Sequence, residues 1–440
     1  MLSFDAVQPI RIVPGVCPRS NRCSTFGVKD SRGPKMLERP PFKTCPQCGR
    51  EQGFGILWVS SESYDRRCKF CRAKATYYLP EVDKKVLYLD QFAISEIFKV
   101  KERKRRADAP HAEFWTEANG LLDRAMMRQQ IICPASNIHR DETMVYRDGK
   151  ALDLAHEMMG GDTSFEDTTT IEHRQIYRHL EAYLKGEEPP SFDFDVDEIL
   201  HGHRNAWLPD LHITVETDWS AFVEHTRQAR DKAAEDFAPL YDRWVRDKPA
   251  FEDVLANELG AMARGYVDAY FHFMAMVQAG EASGDVQTYI NGALSPVVTL
   301  IHEINRKFAE RGVPPESAFR ETVKFLNWPK NQSLPHHWIS AHLFAAIASR
   351  LARGQKRHPS RGMMNDIKAI ALYGPYVDAM FLDNECASLL EEKAVARGVK
   401  LKAKIFCLKR SADFLAYLRG LTDSAPQEVI DAARELYGTA

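Results

Sequence analysis

Val86-Leu87-Tyr88-Leu89-Asp90 decides how this chain folds. Four apolar residues in a row, closing on an acid, cannot alternate between a wet and a dry face. Such a run predicts a strand buried on both sides, as in a parallel sheet covered by helices. Gln91-Phe92-Ala93-Ile94-Ser95-Glu96-Ile97-Phe98 predicts a helix that starts directly after the acid.

The same kind of unit recurs along the chain. Gln130-Ile131-Ile132-Cys133-Pro134 predicts a second strand, and Ser136 is placed to cap a helix through His139, Asp141, Glu142 and Val145. Asn365-Asp366-Ile367-Lys368-Ala369-Ile370 opens a later helix. Residues 377–383 predict a strand flanked by acids, 386–396 a helix, and Lys404-Ile405-Phe406-Cys407-Leu408 a final strand. Residues 151–335 carry mainly helical patterns, for example 221–244 and 251–277. Strand–helix alternation at both ends of a helical block predicts one α/β domain with a large helical insertion. The expected division is 1–40 as an irregular basic extension, 41–80 as a cysteine module, 81–150 and 336–440 as two halves of the α/β domain, and 151–335 as the insertion.

The cysteine module rests on Cys45-Pro46-Gln47-Cys48 and Cys68-Lys69-Phe70-Cys71. Two tight pairs separated by 19 residues can close around one tetrahedral zinc. Gly49 can take positive φ and turn the chain beneath the metal. A zinc ribbon is therefore expected, with all four positions filled by protein, so that its zinc is structural. The other cysteines, Cys17, Cys23, Cys133, Cys386 and Cys407, are scattered, as in a reducing compartment.

At 440 residues the chain exceeds one ordinary core. Its 44% hydrophobic and 27% charged content fits a globular protein. No uncharged apolar run of about 18 residues predicts a membrane span, and Met1-Leu2-Ser3-Phe4-Asp5 lacks the basic start of a secretory leader. A cytoplasmic protein is expected. The net charge of −2 hides an asymmetry: residues 1–80 carry 14 Lys and Arg against 6 Asp and Glu, whereas 161–260 carry 10 against 23. The amino-terminal part suits a polyanion, and the acidic middle does not.

Asp90 and Asp383 sit at the ends of predicted strands, Glu142 two turns into the helix after the second strand, and Asp366 in the first turn of its helix. Ligands of open parallel sheets bind beyond the carboxyl ends of the strands. Acids that converge there repel one another and call for a hard cation, Mg²⁺ or Mn²⁺. Asp141 and Glu142 point about 100° apart on a helix, so only one can face the site. Glu142 is expected there, because Ile138 and Val145 lie at helical spacing beside it. No Walker-type loop, Gly-x-Ser-x-Gly or dinucleotide fingerprint is present.

In order and setting these motifs resemble PIN-like nuclease domains. Val86-Leu87-Tyr88-Leu89-Asp90-Gln91 is similar to their first motif, and Pro134-Ala135-Ser136 followed by Glu142 to their second. Asn365-Asp366-Ile367-Lys368-Ala369-Ile370 is similar to the third, and Phe381-Leu382-Asp383-Asn384 to the fourth. The resemblance covers 81–150 and 336–440. It implies an α/β/α sandwich and a metal-dependent endoribonuclease whose Mg²⁺ or Mn²⁺ is held by Asp90, Glu142, Asp366 and Asp383. The chain departs from small members in its zinc ribbon, its insertion and an extra acid, Asp378, which leaves Asp378 and Asp383 as alternatives for the fourth ligand.

For binding, Arg66, Arg67, Lys69, Arg72 and Lys74 surround the second cysteine pair, close to Tyr64, Phe70, Tyr77 and Tyr78. Cations engage phosphates, and aromatics stack on unpaired bases. A second basic run, Arg103-Lys104-Arg105-Arg106, follows the helix after Asp90 and is expected near the active edge. RNA is expected as the partner in preference to DNA, with the insertion available for a homodimer or a protein partner. The competing expectation is a non-catalytic nucleic-acid-binding or scaffold protein.

Overall fold

A computed structural model of the chain describes residues 11–14, 38–146, 148–208, 211–214, 220–355 and 358–438. Cys17 and Cys23 lie outside them. The fold is mixed α/β, mainly helical, with a small parallel sheet and a separate antiparallel sheet.

The parallel sheet has the strand order Lys404–Phe406, Ala379–Phe381, Lys85–Leu89, Ile131–Ile132. Leu89 is level with Phe381, and Phe381 with Phe406. The apolar run does what its composition demands, sending alternate side chains into two different cores. Val86 and Tyr88 join Ile132 and Met380 under the helices Pro335–Ala352 and Met363–Tyr373. Leu87 and Leu89 join Ile131, Phe381 and Phe406 under Gln91–Lys101, Ala112–Met127 and Ser411–Asp423. Both faces are dry, so a polar residue can be kept only at a strand end.

Residues 151–335 are mostly helical and build a core around Leu300, Ile301, Ile304 and Phe325. The helix Ser220–Asp247 also reaches the sheet's own core through Tyr241 and Trp244. No helix among the described residues is long and apolar enough to cross a membrane.

The antiparallel sheet has the order Arg39–Lys43, Phe54–Val59, Ser63–Cys68, Lys74–Tyr78. Its inner face packs Ile56, Val59 and Tyr64 against Trp207 and against Val429, Ala433 and Leu436 of the helix Gln427–Tyr437. Arg66 is only 1% exposed within this contact. Its guanidinium donates to the carbonyls of Pro41 at 2.6 Å and Phe54 at 2.9 Å, and to Glu435 Oε1 at 2.6 Å. Lys43 lies on the same carboxylate at 2.5 Å. The expected role of Arg66 in nucleic-acid binding is thereby corrected. Ser63–Cys68 alternates outward and inward, and Arg66 is an inward residue.

Candidate metal and carboxylate site

The four cysteines of the antiparallel sheet form one cluster, all sulfurs within 4.8 Å of one another, that could hold a metal ion. Cys45 Sγ is 3.6 Å from Cys71 Sγ, and Cys48 Sγ is 3.8 Å from Cys68 Sγ. These separations far exceed a disulfide bond. They match the edge of about 3.8 Å that Zn–S bonds near 2.3 Å give a tetrahedron. Each pair closes in the same way. Gly49 N–H donates to the Cys45 carbonyl and Arg72 N–H to the Cys68 carbonyl. Gly49 and Arg72 both have positive φ, at 69° and 65°. Arg72 therefore takes a left-handed turn conformation that Gly49 takes without strain.

The carboxylates meet at the other sheet. Asp90 directly follows its strand, receives a hydrogen bond from Phe92 N–H at 3.3 Å and starts the helix Gln91–Lys101. Its own N–H donates to the carbonyl of Phe381 at 3.0 Å, on the neighbouring strand. Asp383, two residues past Phe381, caps Asn384–Leu390 by accepting Cys386 N–H at 2.6 Å. Asp366 lies in the first turn of Met363–Tyr373. Asp366, Asp383 and the buried Cys386 place ligand atoms within 4.8 Å of one another. Glu142, on the helix Asn137–Met144, accepts Asn365 Nδ2 at 3.0 Å and so faces the Asp366 helix. Asp141 faces outward, as the helical spacing demands.

The electrostatics follow from this crowding. Burial pushes Asp90 up to about 7, with help from the Glu142 and Asp383 charges and against the Phe92 N–H. Burial pushes Asp366 up to about 9, reinforced by Asp90, Glu142 and Asp383. The strongest charges acting on these two acids are other carboxylates. Such a donor set suits a divalent cation.

Compared with protein-family models, curated proteins and solved structures, the chain matches none.

Asp378 is at the wrong end of its strand. Its carboxylate accepts Val86 N–H at 2.9 Å, at the amino end of Lys85–Leu89, whereas Asp90 lies at the carboxyl end. The length of the strand separates it from the cluster, so the alternative it posed to Asp383 is corrected.

The supports of the cluster are residues the sequence reading did not assign. His139, buried, contacts the Leu89 carbonyl with Nε2 at 2.8 Å and closes a capping box with Ser136. Gln91 Nε2 donates to Thr143 Oγ1 at 2.7 Å, and its Oε1 is buried without a partner. These two contacts bind the Asp90 turn to the Glu142 helix. A Ser followed three residues later by a polar side chain was the available signal for His139.

The expected binding residues separate by environment. Arg67 is half-buried, and Lys69 and Arg72 are exposed. Tyr64 is buried and stacks on Tyr77 with centroids 5.2 Å apart, so it serves the core. The second basic run stands farther from the acids than expected. It begins beyond the 11-residue helix that Asp90 starts, about 16 Å along the axis from that acid. It is also paired: Arg105 lies against Glu96 and the Pro110 carbonyl, Lys104 is 3.3 Å from Asp148, and Arg106 holds Asp108 at 2.6 Å. Arg103 is exposed.

Proposed function

We propose that the chain is a metal-dependent nuclease with a PIN-like α/β/α domain, acting on RNA in preference to DNA, with a structural zinc ribbon at its amino-terminal side. The observation that carries this reading is that Asp366 and Asp383 set ligand atoms within 4.8 Å of each other, with the charges of Asp90 and Glu142 acting on Asp366. Burial and mutual repulsion push Asp90 up to about 7 and Asp366 up to about 9, and a bound cation would relieve that repulsion. Oxygen donors from four carboxylates fit Mg²⁺ or Mn²⁺. When bound, such an ion supplies Lewis-acid polarisation of a phosphodiester and eases formation of a nucleophile from water.

In this reading Asp366 and Asp383, whose ligand atoms lie within 4.8 Å of each other, would hold that ion, with Asp90 and Glu142 completing the anionic ring. The helix caps made by Asp90 and Asp383 fix both carboxylates by their own backbone, which limits reorganisation during reaction. His139 and Gln91 are positioning residues that hold Asp90 and Glu142 in register. Cys45, Cys48, Cys68 and Cys71 hold zinc and do no chemistry, since four protein ligands leave no open position.

The test incubates the protein with labelled single-stranded RNA and DNA in Mn²⁺, Mg²⁺ or EDTA, beside Asp90→Asn. Metal-dependent cleavage that disappears in the variant is expected, faster on RNA. Cleavage unchanged in Asp90→Asn would overturn the assignment. Absent cleavage together with salt-sensitive binding would favour the non-catalytic reading.

A further inference from the structure

The outer face of the antiparallel sheet is an aromatic and cationic surface that the core does not use. Ser63, Asp65 and Arg67 point away from the packed side, and their register partners Tyr78, Thr76 and Lys74 share that face. A register shift between Ile56 and Trp58 sets Trp58 opposite Asp65, and so turns its indole outward as well. Trp58 is 52% exposed and Tyr78 86%. Phe42 lies over Gly55, where a Cβ would come within 2.5 Å of the ring, and Lys69 Nζ sits 4.8 Å from the same ring. Two acids lie beside these cations: Asp65 is bound to Lys74 at 2.8 Å and to Thr76 Oγ1 at 2.6 Å, and Glu38 feels the charges of Arg67, Arg72 and Lys69.

We infer that this face binds unpaired nucleobases, with Trp58 and Tyr78 as stacking platforms and Arg67, Lys69 and Lys74 on the phosphates. Singly exposed aromatics are ordinary, whereas several gathered on one face mark an interaction site. Cations interleaved with the rings select a polyanion with flat apolar faces, and single-stranded nucleic acid has that chemistry. The geometry also sets the mode. One strand lies between those of Trp58 and Tyr78, and their register differs by two residues, so the side chains start about 12 Å apart. One base clamped between two rings needs them about 7–8 Å apart. At their own backbone spacing Trp58 and Tyr78 can each take a separate base of one strand. Double-stranded nucleic acid, whose bases are already stacked, is disfavoured.

The inference deepens the nuclease reading by naming where its substrate strand is held, yet it is measured without cleavage. Asp90→Asn protein with its zinc retained is titrated, with no added divalent ion, into labelled single-stranded RNA, single-stranded DNA and duplex RNA. Trp58→Ala and Tyr78→Ala are each expected to weaken single-strand binding on the order of 10-fold, with zinc content and circular dichroism unchanged. Lys74→Ala is expected to reduce the slope of log K against log salt by about 0.7. Phe271→Ala, at an exposed ring on the helix Phe251–Ser283, is expected to bind like the parent. Equal single-strand affinity in Trp58→Ala, Tyr78→Ala and their parent would overturn the inference, as would tighter binding of the duplex. Binding that depends on Trp58 while no cleavage is found leaves this inference standing and removes the nuclease reading. Cleavage with no dependence on Trp58 and Tyr78 does the reverse.

Discussion

His139 Nε2 lies 2.8 Å from the carbonyl oxygen of Leu89, the residue before Asp90. A carbonyl can only accept, so the proton resides on Nε2. Nδ1 is then free to accept the Ser136 N–H at 3.2 Å. The neutral imidazole thus connects the end of a strand to the start of the helix that carries Glu142.

Burial brings His139 down to about 4, against the pull of the Leu89 carbonyl. The unfolded chain takes up that proton below about 6.5. The stabilisation is therefore whole above pH 6.5 and lost progressively as pH falls toward 4. Urea unfolding from pH 8 to 5 should show His139→Gln about 2 kcal/mol less stable at pH 8. The gap to the parent should narrow with acidity. A gap that stays constant would contradict a neutral, tautomer-fixed role.

Asp366 has the opposite sign. With its carboxyl pushed up to about 9, the folded state is penalised increasingly as pH rises from about 4 toward that value. In metal-free protein Asp366→Asn should therefore raise stability, by about 1–2 kcal/mol. Mn²⁺ should raise the melting temperature of the parent and leave the variant nearly unmoved. Calorimetry showing an equal Mn²⁺ shift in both would remove Asp366 from the metal site.

Asp378→Asn separates the two acids of its strand. The carboxylate of Asp378 serves Val86 N–H, so the variant should lose about 1 kcal/mol of stability and keep full cleavage activity. Asp383→Asn should lose activity. The reverse pattern in a cleavage assay would show that the strand end is wrongly assigned.

Glu435→Ala would leave the buried Arg66 charge without its carboxylate. Breaking such a pair costs about 3 kcal/mol, at the low end of the usual range because Glu435 keeps some solvent contact. Replacing both residues, as Arg66→Met with Glu435→Leu, should recover much of that loss. A denaturation midpoint unmoved by Glu435→Ala would show that the contact contributes little.

What the sequence disclosed, and what it hid, follows from side-chain periodicity. Val86-Leu87-Tyr88-Leu89 could be read because both faces of its strand are dry. Ser63-Tyr64-Asp65-Arg66-Arg67-Cys68 is also a strand, but half its side chains are wet and its inner face holds an arginine. Without an apolar stripe it escaped detection, and Arg66 and Arg67 looked alike. Asp378 and Asp383 flank one short strand, and only its parallel register with Lys85–Leu89 tells that the Asp383 end is the one beside Asp90. Trp58 faces outward because of a register shift that no residue pattern announces. His139 was visible as a residue but not as a link, since its partner is a backbone carbonyl 50 positions away.

The pairing of Arg66 with Glu435 orders events during synthesis. These residues are 369 positions apart. At about 5–20 residues per second, roughly 20–70 s separate their emergence from the ribosome. Throughout that interval the inner face of the cysteine sheet has no helix to cover it. Asp90 likewise waits for Asp366 and Asp383. A nascent chain is thus unable to assemble its carboxylate cluster until most of it has been made, and a prematurely terminated product would display the sticky inner face of the sheet to chaperones and proteases.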